Sequence, residues 1–275
     1  MLEIPESFAF AHQLRQTVVG KTIAEVLPPS SPHGFAWYWG EPKEYHSLLA
    51  GATLSGAEGF GMYVELQADA LRLTIGDGTS VRYYDAGEKL PPKYQLHVGF
   101  TDGSVLRFTV LMYGGMWAFP DGAYTNEYYL GAKNAISPLT DAFSPAHFAT
   151  LFNDKTVKLS AKAFLATEQR IAGLGNGVLQ DILWRSKLHP KRRMHTLSDA
   201  EIQQLYSVLI QTLAEMAAAG GRDTERDIFG NYGGYQTTMS RNNKAGICPV
   251  CGEPIHRFAY LGGNVYVCET CQPLD

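Results

Sequence analysis

Cys248-Pro249-Val250-Cys251 and Cys268-Glu269-Thr270-Cys271 contain every cysteine of the chain, with sixteen residues between the two pairs. A two-residue gap inside each pair lets both sulfurs reach one ion, which is the spacing of a closed, tetrahedral four-thiolate zinc site. Residues Ile255 to Val267, between the pairs, are expected to fold back as a short hairpin. Two disulfides would belong to a small secreted domain, and a redox dithiol to a strand-to-helix turn. Neither setting matches this place in the chain, so one structural zinc ion is the predicted cofactor.

Upstream of the quartet the pattern is helical. Ser198-Asp199-Ala200-Glu201 reads as a capping box opening a helix over Ala200 to Ala219, with Ile202, Leu205, Leu209 and Leu213 as its apolar stripe and Gly220-Gly221 as its stop. A second helix is expected from just after Asn176 to Ser186, preceded by Ala172-Gly173-Leu174-Gly175-Asn176. A helix start of this kind exposes unpaired N–H groups that suit a phosphate, although glycines before a helix also serve as an ordinary tight turn. Between the two helices lies the basic turn His189-Pro190-Lys191-Arg192-Arg193, a run that equally suits a solvated face.

The first half reads differently. Pro5 to Val18 forms an opening helix with Phe8, Ala11, Leu14 and Val18 on one side. Strands are expected at Thr22 to Leu27, Met62 to Leu66, Ala70 to Ile75, Gln95 to Phe100 and Val105 to Met112, with Thr101 to Ser104 as a hairpin connection. The expected fold is therefore α+β and multidomain: an N-terminal β-sandwich with an opening helix over 1–135, a helical domain over 145–240 and a zinc finger over 241–275. Charge divides along the same line. Residues 1–150 carry 9 Lys/Arg against 15 Asp/Glu, and the remainder 14 against 12, so the net positive half holds the cysteines. No apolar run of membrane length and no cleavable leader is found, which predicts a cytoplasmic protein with no membrane partner.

A helix, a basic turn and a second helix ahead of a four-cysteine hairpin, behind a β-rich domain, resemble the formamidopyrimidine-DNA glycosylase and endonuclease VIII family. Met1-Leu2-Glu3-Ile4-Pro5-Glu6 is similar to the family's opening Met-Pro-Glu-Leu-Pro-Glu. Lys162, Gly173 to Asn176 and His189-Pro190 match its helix-two-turns-helix element, and Gly220-Gly221, Gly234-Tyr235, Cys251-Gly252 and Cys271-Gln272 match the stretch into and through the zinc finger. The resemblance implies a DNA repair enzyme, acting as a monomer at the nucleoid on double-stranded DNA with a damaged base. Such enzymes flip that base out and cut its glycosidic bond. It implies phosphate contacts for Lys162 and Asn176, with Lys191 and Arg192 on the basic turn, and proton transfer by Glu3 supported by Glu6. Without the resemblance, Glu3 and Glu6 read as exposed carboxylates at a helix start, Lys162 as a surface lysine and Asn176 as a helix cap.

Four positions depart from the family pattern. Leu2 occupies the place of the proline whose amine forms a Schiff base with the sugar, so the nucleophile is either the amine of Met1, expected to be retained, or a water activated by Glu3. Met62 replaces a lysine. Met112-Tyr113-Gly114-Gly115 replaces an arginine-phenylalanine pair that fills the gap left by the flipped base, leaving Met112 or Tyr113 as the wedge. The hairpin tip, Gly262-Gly263-Asn264, lacks the arginine that grips phosphates. Two functions fit these residues: a glycosylase with altered chemistry and doubtful lyase activity, or a catalytically silent binder of damaged DNA.

Overall fold

A proline in the first turn and apolar residues at helical spacing give α1, Ile4–Thr17, in the computed structural model, which describes residues 2–76 and 78–274. Nine strands and one short helix follow: β1 (Ile23–Leu27), β2 (Ala36–Trp37), α2 (Tyr45–Leu49), β3 (Leu54–Phe60), β4 (Tyr63–Ala68), β5 (Leu71–Ile75), β6 (Thr79–Tyr84), β7 (Leu96–Phe100), β8 (Val105–Val110) and β9 (Gly114–Pro120). They make a four-stranded sheet in the order β1-β7-β8-β6 and a five-stranded sheet in the order β2-β9-β5-β4-β3. All pairings are antiparallel except β2 with β9. The expected turn at Thr101 to Ser104 joins β7 to β8, and Gly103 takes the left-handed conformation it needs, at φ 84°. Strands β2, β3, β6 and β9 lie outside the sequence expectation. Glycines within β3 and β9 break the apolar alternation by which a strand is recognised.

The second half is helical: α3 (Glu127–Asn134), α4 (Pro145–Thr150), α5 (Ala161–Ala166), α6 (Val178–Arg185) and α7 (Asp199–Ala218). Ser198 caps α7 through the expected box with Glu201, and Leu205, Leu209 and Leu213 are fully buried along its stripe. The chain closes with β10 (His256–Tyr260) and β11 (Gly263–Val267), an antiparallel hairpin between the cysteine pairs. Its turn residues are Leu261 and Gly262, both at positive φ, so the tip lies one residue earlier than the sequence suggested. The fold is thus an N-terminal β-sheet domain, a C-terminal helical domain and a cysteine-rich finger. Among the described residues no helix is long and apolar enough to cross a membrane.

Two apolar cores meet at the start of α1. Leu2 packs between the sheets with Phe10, Leu14 and Phe108, whereas Ile4 packs with Phe148, Phe164, Leu174 and Leu213 of the helical half. Glu3 lies on the seam between them.

Candidate active site and nucleic-acid interface

Glu3 and Glu6 are buried at 4% and 2% exposure, not exposed as a helix-start pair would be. Burying two carboxylates is costly unless each is paired, and the pairing here comes from distant segments. The Glu3 carboxylate accepts the N–H of Gly177 at 2.9 Å and of Val178 at 2.8 Å. It therefore acts as the N-cap of α6, whose own cap residue, Gly177, has no side chain to do so. A Cβ at Gly177 would overlap the Arg222 guanidinium, so the close approach requires glycine at this position. Gly173, at φ 78°, passes against Gly61 and accepts the N–H of Ile4 at 3.1 Å, which fixes the loop onto α1.

Arg222 completes the cluster. Its Nε and Nη2 donate to Glu6 at 2.9 and 2.7 Å, its backbone N–H donates to Glu6 at 3.1 Å, and its Nη1 lies 3.5 Å from Glu3. Glu6 also accepts the Glu3 N–H at 3.3 Å. Burial pushes the Glu3 carboxyl above its ordinary value; Glu6 adds to the rise, and Arg222 and the two amides oppose it. Burial pulls the Arg222 guanidinium down, but the two carboxylates more than reverse this and hold it above its ordinary value. Sequence reading missed Arg222. The available signal was a lone arginine directly after the Gly220-Gly221 stop, in a chain whose two opening carboxylates needed a cation.

Beside this cluster is a recess of about 310 Å³ lined by Leu2, Glu6, Leu111, Arg226, Tyr232 and Arg241, among others. Leu2 is 3% exposed, so the nucleophile position of the resemblance is filled by a packed aliphatic side chain. Met1 lies outside the described residues. Leu111 and Met112 form an exposed apolar ridge between β8 and β9, and Tyr113 follows with its ring 6.0 Å from that of Trp37.

The remaining polar residues gather around the hairpin. Lys162 is buried, not on the surface; its Nζ donates to the Tyr260 carbonyl at 2.5 Å, and burial lowers its pKa. Asn176 does not cap α6: its Nδ2 donates to the Asn264 carbonyl at 3.1 Å. Gln180, which sequence reading also missed, donates to the same carbonyl at 3.0 Å and accepts the Tyr266 N–H at 3.1 Å. Lys191 is exposed, with its ammonium 4.5 Å from the centre of the Phe258 ring. Arg192 pairs with Glu201 at 2.6 Å. The glycine loop, the basic turn and the hairpin thus form one connected surface, on which Lys191, Arg193 and Arg257 are exposed cations.

The four cysteine sulfurs lie within 4.8 Å of one another, with Cys248 to Cys271 at 3.7 Å and Cys251 to Cys268 at 3.4 Å. A disulfide requires about 2.05 Å, whereas a tetrahedron with Zn–S bonds of about 2.3 Å has edges near 3.8 Å. The donor set therefore fits one ion. Around it pack Met239, Trp184, Ile255 and Tyr266, and Gln272 bridges the Cys268 N–H to the Leu188 carbonyl.

The family model for the formamidopyrimidine-DNA glycosylase H2TH domain matches residues 135–227. Over 283 residues the chain is 30% identical to the formamidopyrimidine-DNA glycosylase of Geobacillus kaustophilus, spanning 99% of this chain and 100% of that one. The solved structure of the MutM (Fpg) protein from Thermus thermophilus superposes with a TM-score of 0.80 at 25% identity, over 98% of both chains. The Lactococcus lactis Fpg, in complex with DNA containing an abasic site, superposes with a TM-score of 0.80 at 22% identity, over 98% of this chain and 99% of that one, a likeness of fold.

Proposed function

Because the chain belongs to the formamidopyrimidine-DNA glycosylase family, we propose that it binds double-stranded DNA carrying a damaged base and hydrolyses that base's N-glycosidic bond with a water activated by Glu3. The observation that carries this reading is the pairing of Leu2, packed in the sandwich core, with Glu3, held by the start of α6. The proline amine is replaced, and the carboxylate is retained and oriented. Each Glu3 oxygen accepts one amide and keeps a further lone pair, and burial makes the carboxylate a stronger base than an exposed one.

In this mechanism the duplex is held along the hairpin and basic turn, with Lys191 facing phosphates and Arg192 reaching one by exchanging it for the Glu201 carboxylate. Lys162 and Asn176 serve the same strand by fixing the hairpin. The damaged base leaves the stack, with Met112 or Tyr113 entering the gap, because its sugar carbon cannot be reached inside the duplex. Glu3 takes a proton from water as the oxygen bonds to C1′. The C1′–N bond breaks with its electron pair on the base, which is then protonated by Glu3. Glu6 and Arg222 keep the carboxylate in place. Cys248, Cys251, Cys268 and Cys271 hold one structural zinc ion that stabilises the hairpin.

Incubation with a panel of damaged duplexes tests this reading, with borohydride present in a parallel reaction. Base release without a trapped covalent complex is expected. Trapping would replace the water by an amine nucleophile. The absence of both would leave the silent binder, a reading favoured by the engagement of both Glu3 oxygens. Glu3→Gln is expected to lower base release by roughly 10²–10⁴-fold, the usual contribution of a general base, with little change in DNA affinity. Equal release by the variant would remove Glu3 from the chemistry.

The pH profile carries a sign. The base acts ionised, so kcat/KM falls as pH drops through the Glu3 pKa, and a pKa above the ordinary 4.5 places this acid limb above that value. A limb at or below 4.5, or one that persists in Glu3→Gln, would contradict the assignment.

A further inference from the structure

The ridge at Leu111 to Tyr113 divides two recesses. Leu111 lines the one that holds Leu2, Glu6 and the arginines Arg226 and Arg241. Tyr113 lines the other, a recess of about 570 Å³ walled by Trp37, Tyr63, Trp117, Tyr124 and Tyr128. The two differ in chemistry: the first carries formal charges, and none of the described residues lining the second does. Its rings form two groups: Trp37 lies 6.0 Å from Tyr113, and Trp117 lies 6.0 Å from Tyr63 and stacks on Tyr124 at 5.6 Å. Trp37 is 48% exposed and Tyr128 71%. Two amides complete the lining. Asn126 accepts the N–H groups of Tyr128 and Tyr129 through Oδ1, and Gln169 accepts that of Gly173 through Oε1, which leaves each side-chain NH₂ as a donor.

Walls whose described residues bring no cation give no purchase to phosphate, while ring faces with a few amide donors suit a flat heterocycle that stacks and offers acceptors at its edge. We propose that this aromatic recess takes an unpaired nucleobase, the one left opposite the damaged base once that base has left the stack. The proposal rests on the reading of the chain as a binder of damaged duplex DNA. An apolar ridge entering the gap between two separated bases has one of them on each side. The Leu111 side is the charged recess next to Glu6, where the damaged base goes. The Tyr113 side is aromatic and receives its former partner.

Trp37→Ala tests this, because Trp37 is half exposed and its loss leaves both cores intact. Affinity is measured for two duplexes that carry the same stable abasic analogue in the damaged strand. One has a normal base opposite the analogue, and the other has a second abasic analogue there. The variant is expected to lose roughly five- to hundredfold in affinity for the first, the range of base–aromatic stacking, and to bind the second as wild type does. Tyr128→Ala is expected to show the same selectivity. Equal loss on both duplexes, or loss on neither, would overturn the recess assignment while leaving DNA binding in place. Wild-type protein that binds neither duplex would overturn the DNA reading and this proposal together.

Discussion

Arg222→Met is expected to destabilise the folded chain by about 3–5 kcal/mol, the usual cost of removing one partner from a buried charge cluster. The side chain is 2% exposed, and two carboxylates of similar burial depend on it. After the substitution Glu6 loses the guanidinium that donates at 2.9 and 2.7 Å and Glu3 loses the charge at 3.5 Å. For a chain of this size the thermal midpoint should fall by roughly 10 °C. The cost arises from stranded charge, so adding Glu3→Gln and Glu6→Gln to Arg222→Met should recover a large part of it, as neighbouring sites in one network are not additive. A drop below about 1 kcal/mol for the single variant, measured by denaturant unfolding, would show that the cluster is not what joins the two halves of the chain.

Removing the metal should produce the other large effect. Apparent binding free energies for structural zinc run at about 10–16 kcal/mol near neutral pH, far more than a five-residue hairpin pair could supply through its own packing. Chelation is expected to release one zinc per chain and to unfold β10 and β11, seen as lost amide-exchange protection. The N-terminal sheets have no residue in this cluster and should keep theirs. Lys162, Asn176 and Gln180 would then lose the Tyr260 and Asn264 carbonyls they hold. DNA affinity should fall at least tenfold. Metal-free protein with unchanged protection in residues 256–267, or with unchanged affinity, would refute the coupling.

How much of this was legible in the sequence depended on whether a feature is local. The cysteine pairs, the Ser198 box and the Thr101 to Ser104 turn each declare themselves within a few residues, and each is found where expected. Strands β3 and β9 do not, because Gly56, Gly59, Gly114 and Gly115 are there for close packing, which erases the alternation. The carboxylates were identified by position but not by environment. Nothing near residue 3 announces that the donors to Glu3 lie 174 and 175 residues away, or that Glu6 meets Arg222 across 216. Asn176 shows the converse: locally it resembles a cap, but the hairpin from the far end of the chain claims its side chain.

That separation of 216 residues also has a meaning in time. At about 5–20 residues per second of synthesis, Glu6 waits roughly 10–40 s for its guanidinium. Until Arg222 emerges, the two carboxylates are best left hydrated, and the first turn of α1 gains little by sealing itself between the sheets and the helical half. A segment made well before its partner is thus locked only after Arg222 appears, and a chain that stops short of Arg222 would leave an open seam for quality control to find.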